Sequence, residues 1–259
     1  MKRAFTIALT LIVGATALAI EIGTVAMLAY AINYSKVVES QATIEQKNQP
    51  FVVVIDPGHG GKDNGVSSAS GLREAEVNLE ISTLLRAELE LSGVIVVMTR
   101  EDEAGLNDLD APNKKRSDMR RRHAIIENAK PDLVISIHVN SFPRQKSVHG
   151  IQTFYQRGGE TGRTHAQAIQ NYLNSTDLSD KKRVASSADF YILETPYPSV
   201  LIECGFLSNP EDEANLRSDA YRKELAKHIA TAIIKTLEEQ SKGDTEASSR
   251  PLDWFDISV

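Results

Sequence analysis

Three short segments of this chain carry residues that could do chemistry together. They are Asp56-Pro57-Gly58-His59-Gly60-Gly61, Ser136-Ile137-His138-Val139-Asn140 and Ile202-Glu203-Cys204-Gly205, and each sets a histidine or a carboxylate at the end of an apolar run. A further acid, Glu74, opens a helical stretch after a glycine-containing loop. Two histidines and two carboxylates converging at one rim form the donor set of a catalytic zinc: three nitrogen or oxygen ligands and an open position for water. The fourth group is then free to act as a general base. Each piece alone has a plainer reading. A strand-end histidine is often a hydrogen-bonded core residue, Glu74 suits the first turn of a helix through the helix dipole, and Gly60-Gly61 serve an ordinary tight turn. Glu203 is harder to dismiss, because a carboxylate is rarely buried without a partner. Asn140, two residues beyond His138, is a candidate to orient the site or to hydrogen-bond substrate.

These groups need elements to position them. Phe51 to Asp56 is a β-branched run ending at Pro57-Gly58, the pattern of a buried strand entering a loop. Glu74 to Leu91 has apolar residues at Val77, Ile81, Leu84, Leu85 and Leu89, a helical spacing. Val94–Thr99 and Asp132–Ile137 read as strands, with a helix over Arg116–Ala129 between them. Gly150–Gln156 reads as a fourth strand and Gly162–Leu173 as a helix. Short strands are expected at Asp189–Leu193 and Ser199–Glu203, and a helical region from Glu211 to Ser241 with a break near Asp219. The strands are continuous apolar runs alternating with helices. This predicts an α/β fold: a single three-layer domain with a mostly parallel or mixed central sheet of about six strands, covered by helices. In such folds ligands sit beyond the carboxyl ends of the strands, where the candidate residues lie.

The motifs taken jointly resemble one known family, the zinc-dependent N-acetylmuramoyl-L-alanine amidases of amidase type 3, which cut bacterial peptidoglycan. The matching blocks, in the family's order, are VVVIDPGHGGKDNG at 52–65, GLREAEVNLEIS at 71–82, VMTRED at 97–102, DLVISIHVNSF at 132–142, HGIQTFY at 149–155 and PSVLIECGFLSNPED at 198–212. The resemblance implies that His59, Glu74 and His138 bind Zn2+ and that Glu203 is the catalytic carboxylate. It also implies the substrate, the amide between the lactyl group of N-acetylmuramic acid and L-alanine; zinc-ligand chemistry alone admits any amide. Two departures are small. Ala75 stands where the family usually has Lys, and Cys204 stands where Thr or another small residue is common. Some members carry an inserted helix between the segments of His138 and Glu203 that blocks the zinc until a partner displaces it. No such extra helix is legible here, so an activator protein is not required by the sequence. The rival reading is a non-catalytic peptidoglycan-binding or scaffold module of the same fold, which would be expected to have lost at least one of the four chemical positions.

Composition and the chain's first segment bound the setting. Lys+Arg is 29 against Asp+Glu 35, a formal net charge of −6, which argues against nucleic acid as a partner. The single cysteine, Cys204, allows no intramolecular disulfide and reads as a small buried residue rather than a nucleophile. Lys114, Lys115, Arg116, Arg120, Arg121 and Arg122 form a basic cluster, read as a solvated helix face, with Arg122 suited to a structural ion pair. Lys2-Arg3 precede an apolar run over residues 4–32 broken only by Glu21. That run is long enough to cross a bilayer, with its positive flank in the cytoplasm; a cleavable signal peptide is the alternative. The expected organisation is 1–32 signal-anchor or signal peptide, 33–50 polar stem, 51–241 catalytic domain and 242–259 tail. The catalytic part is expected to be exported, to the periplasm or the outer face of the cytoplasmic membrane.

Overall fold

A computed structural model describes residues 23–38, 49–108 and 110–248. The chain divides into two units, residues 1–49 and 50–259. In the first, a helix, α1, covers residues 23–38 with its side chains exposed. Among the described residues no helix is long and apolar enough to cross a membrane. Most of the expected membrane segment and of the expected stem, and the end of the expected tail, lie outside the described residues.

The second unit is an α/β domain. Its strands are β1 (Val52–Pro57), β2 (Ile95–Met98), β3 (Leu133–Asn140), β4 (Gln152–Gln156), β5 (Ser186–Ala188) and β6 (Ser199–Phe206). Its helices are α2 (Glu74–Leu91), α3 (Lys114–Ala129), α4 (Glu160–Asn174), α5 (Pro210–Arg217) and α6 (Asp219–Ser248). The six strands form one sheet in the order β2-β1-β3-β6-β4-β5. β4 runs antiparallel to β6 and every other pairing is parallel, so the sheet is mixed.

Side-chain alternation along the central strands decides what each face does. Val53 and Ile55, Ile135 and Ile137, and Val200 and Ile202 join the larger core, with Ile81, Leu85 and Leu89 of α2, Ile169 of α4 and Ile229 and Ile233 of α6. Val54, Val134 and Leu201 join a smaller cluster on the opposite face, with Ile126 of α3 and with Ile192 and Leu193. Continuing the alternation on this second face gives Asp56 on β1, Ser136 and His138 on β3, and Glu203 on β6. The register pairs Asp56 with Ser136 and His138 with Glu203. The polar residues thus sit at the carboxyl ends of three adjacent parallel strands, on the face that is covered less fully.

Two details differ from the sequence expectation. The apolar stretch at Asp189–Leu193 is no strand: Tyr191–Leu193 is a 3-10 turn, and the edge strand is Ser186–Ala188 just before it. Ile192 and Leu193 are both buried. Consecutive residues of a turn can enter one core, whereas consecutive residues of a strand point to opposite faces. The helical region after Glu211 breaks at Ser218, beside the expected break near Asp219, and the difference there lies at its far end. Asn209 caps α5, its side chain accepting from the amides of Glu211 and Asp212, and α6 continues past the expected domain end, to Ser248.

Candidate active site

Glu74 is the hub of the site. It is the first residue of α2 and only 4% exposed. Its Oε1 lies 2.9 Å from His138 Nδ1 and 3.2 Å from His59 Nε2. Its Oε2 accepts from the amide of Val66 at 2.8 Å, tying it to the loop that carries His59. Burial alone would raise the carboxyl's pKa, but hydrogen bonds and charge from His138 and His59 outweigh it and hold Glu74 well below the usual range. His59 is driven the other way. Burial lowers its pKa, but Glu74 and then Asp63 raise it above the ordinary value. Glu74 and His59 thus each favour the charged form of the other.

The approach is tight, and two glycines permit it. A Cβ on Gly58 would meet the His138 ring at 2.3 Å, and one on Gly65 would meet Glu74 Oε2 at 2.4 Å. His59 itself has φ 62, a left-handed conformation that a residue with a side chain adopts at a cost. Two buried arginines hold this loop in place. Arg122 donates to Asp56 Oδ1 at 2.7 Å, to the Pro57 carbonyl at 2.8 Å and to the His59 carbonyl at 2.6 Å. Its Nε reaches Asp118 at 2.6 Å. Arg100 donates to the carbonyls of Pro57, Gly58 and Ala75. Asp56 accepts from Thr99 and Ser136 on its two oxygens, so its carboxylate is consumed in structure.

Glu203 stands apart. It is 8% exposed, and its Oε2 is buried without a hydrogen-bond partner among the described residues. Burial pushes its pKa up to about 7; the charge of His138 opposes this and that of Glu74 adds to it. A carboxyl poised near neutrality in a cleft has the properties of a general acid–base group. The cleft has a volume of about 660 Å³, and His59, His138 and Glu203 line it.

His59, Glu74 and His138 are the one group among the described residues that offers three ligand atoms to a metal ion, all within 4.8 Å of one another. Two imidazoles and a carboxylate are a donor set suited to zinc, and the orphaned Glu203 oxygen beside them fits a general base. Of the sequence-predicted residues, these four are brought together and Asn140 is not. The Asn140 side-chain oxygen accepts from the amide of Ser141 at 2.7 Å, and the residue does not line the cleft. The remaining histidines bond elsewhere: His123 to the Tyr191 carbonyl, His149 to Asp180, His165 to Thr236 and His228 to Glu224. Burial raises the thiol pKa of Cys204 far from nucleophile range. Sequence reasoning missed Asp63, whose Oδ2 lies 3.0 Å from His59 Nδ1. A carboxylate behind a ligand histidine fixes its ring and raises its basicity, and the signal was its position four residues after His59. Arg100 was also missed, since nothing local marks an arginine that donates to distant carbonyls.

Comparison with known proteins gives the same direction. A family profile described as N-acetylmuramoyl-L-alanine amidase matches residues 53–235. The germination-specific N-acetylmuramoyl-L-alanine amidase of Bacillus subtilis is 32% identical over 197 residues, covering 74% of this chain and 81% of that protein. Among solved structures, the CwlD amidase of Clostridioides difficile, in complex with the GerS lipoprotein, superposes with a TM-score of 0.70 and 33% identity over 73% of this chain and 99% of that one. The catalytic domain of the amidase CwlV from Bacillus (Paenibacillus) polymyxa gives 0.64 and 30%, over 73% and 98%. On its sequence match, its fold and its motifs in order, the chain belongs to the N-acetylmuramoyl-L-alanine amidase family.

Proposed function

We propose that this chain is a zinc-dependent hydrolase of the amide bond between the lactyl group of N-acetylmuramic acid and L-alanine in peptidoglycan. The observation that carries the reading is the convergence of His59, Glu74 and His138 beside a buried Glu203 whose oxygen has no protein partner. His59 Nε2, Glu74 Oε1 and His138 Nδ1 would hold the ion. When bound, zinc supplies a Lewis acid that polarises a carbonyl and brings the pKa of water toward ~7. Glu203 removes a proton from the attacking water and delivers it to the amine as the C–N bond breaks, leaving a lactyl carboxylate and the freed alanine amine. Asp63 holds the His59 ring in its binding orientation. Arg100 and Arg122 keep the His59 loop against the strand ends, so that the groups need not reorganise during reaction.

The positively flanked apolar run at residues 4–32 supports export, with the catalytic unit in the periplasm or on the outer face of the cytoplasmic membrane. Between β3 and β6 the only helix of at least one full α-turn among the described residues is α4, whose Ile169 belongs to the larger core. This supports an enzyme active without a partner that displaces an inhibitory helix. The test is digestion of intact peptidoglycan by the zinc-loaded full chain, with products identified by mass spectrometry. Release of whole stem peptides with a free alanine amine, abolished by a chelator and restored by zinc, is the expected result. Release of sugar fragments, or cleavage within the peptide, would assign a different reaction. Binding to the wall without any release would favour the non-catalytic module.

A further inference from the structure

The cleft that holds the candidate zinc site is lined by as many acids as lysines and arginines, yet its free charge is positive. Apart from Glu203, its acids are already committed: Asp56 and Asp118 pair with Arg122, and Asp63 pairs with His59. What faces the opening is Lys62, from the loop after His59, and Lys114 and Lys115, from the start of α3. All three are exposed. Among the described residues none of them is in an ion pair, although the charge of Lys115 does help to lower the pKa of Asp63. Lysines of a solvated helix face are common. A local excess of unpaired cations is less expected in a chain of net charge −6, and these three border the one cleft that contains Glu203. A plain solvated surface would scatter them; here two separate elements bring them to one mouth. Across the same cleft the wall is apolar, from Phe190, Tyr191 and Ile192, and offers no anion to compete.

We propose that Lys62, Lys114 and Lys115 recognise free carboxylates on the peptide portion of the substrate, so that the enzyme selects acidic stems over stems whose carboxyls are amidated. The proposal rests on the amidase reading above. A peptide attached through its N-terminal amine keeps a C-terminal carboxylate, together with those of any acidic residues, and flexible ammonium groups at a cleft mouth suit anions whose spacing varies. An exposed ion pair is worth at most a factor of about five in affinity, so three lysines acting on one or two carboxylates give about tenfold in kcat/KM. Such contacts act in the ground state and the transition state alike, and appear mainly in KM.

The test uses the zinc-loaded full chain and two muramyl peptides of one sequence, with stem carboxylates either free or converted to carboxamides. Wild type is expected to favour the free-acid peptide about tenfold, mostly through KM, and the preference should shrink between ~50 mM and ~500 mM salt as screening lengthens its hold. The triple variant Lys62→Gln/Lys114→Gln/Lys115→Gln should fall to within twofold between the two peptides. The charge reversal Lys114→Glu/Lys115→Glu should favour the amidated peptide. A wild type without preference overturns the proposal, and so does a triple variant that keeps the preference. Equal losses on both peptides would also overturn it, assigning the lysines a general or structural role. A wild type that cleaves neither peptide removes the amidase reading and the proposal with it.

Discussion

Glu203 and Asp63 line one cleft and play opposite parts in it, one left without a partner and the other spent on His59. Replacing Asp63 with Asn should keep the fold and weaken zinc binding by about 10–100-fold, since His59 would lose the acceptor that orients it; a zinc titration by calorimetry reads this directly. Gly58→Ala should do comparable harm from the other side, because its Cβ would sit 2.3 Å from the His138 ring and force the ligand away. Glu203 must be ionised to take a proton from water, so activity should fall as pH drops through its pKa. Burial holds that pKa at about 7; a cation bound by its neighbours favours the charged form, so the acid limb of kcat/KM should lie below 7. The four candidate residues were legible because each ends or opens a recognisable element. Asn140 does not line the cleft although it follows His138 by two residues: the pairing of β3 with β6 shifts register between them, and the Asn140 side-chain oxygen accepts from the amide of Ser141.

At the scale of elements, the end of β1 and helix α3 are joined through the buried pair Asp56–Arg122. Arg122→Met should therefore destabilise the domain by about 3–5 kcal/mol at neutral pH, because it strands a buried carboxylate. The sign of its pH dependence follows from Asp56. Burial raises that carboxyl's pKa, but Arg122, with help from Thr99 and Ser136, holds it below its ordinary value. A carboxylate depressed in the native state contributes fully above its unfolded pKa, near ~3.9, and the contribution is lost as pH falls through the native value. Wild type should thus lose stability in acid, and the deficit of Arg122→Met relative to wild type should narrow there. Urea melts of both proteins at two pH values test this; a deficit that widens in acid would contradict it. Element types were readable from periodicity, and the central strands from their unbroken apolar runs. The edge strand Ser186–Ala188 was not, since small polar residues on a sheet edge carry no hydrophobic pattern. The adjacent Tyr191–Leu193 run carried the pattern of a strand while serving as a turn that buries Ile192 and Leu193.

Over the whole molecule, the domain's metal site and its stability are linked. The ligands come from the loop after β1, from the start of α2 and from β3, so a bound ion ties together three parts of the chain distant in sequence. An ion that binds only the folded state at 100 times its Kd adds about 2.7 kcal/mol. For a domain of this size that is a rise in Tm of roughly 5–10 °C. A chelator should remove the rise, and His138→Ala should show none. The overall architecture was legible because alternating strand and helix signals leave few topologies. The reversal of β4 was not, because strand direction is set by how connections pack and leaves no mark in local pattern.

The central claim is that three of the four residues hold zinc and the fourth moves the proton. The most direct measurement is zinc content and turnover of peptidoglycan, side by side, for wild type, Glu74→Gln and Glu203→Gln. The account predicts that Glu74→Gln loses both metal and activity, whereas Glu203→Gln keeps one zinc per chain and loses at least about 100-fold in kcat. A Glu203→Gln protein that sheds its zinc, or one that keeps its metal and its rate, would contradict the account.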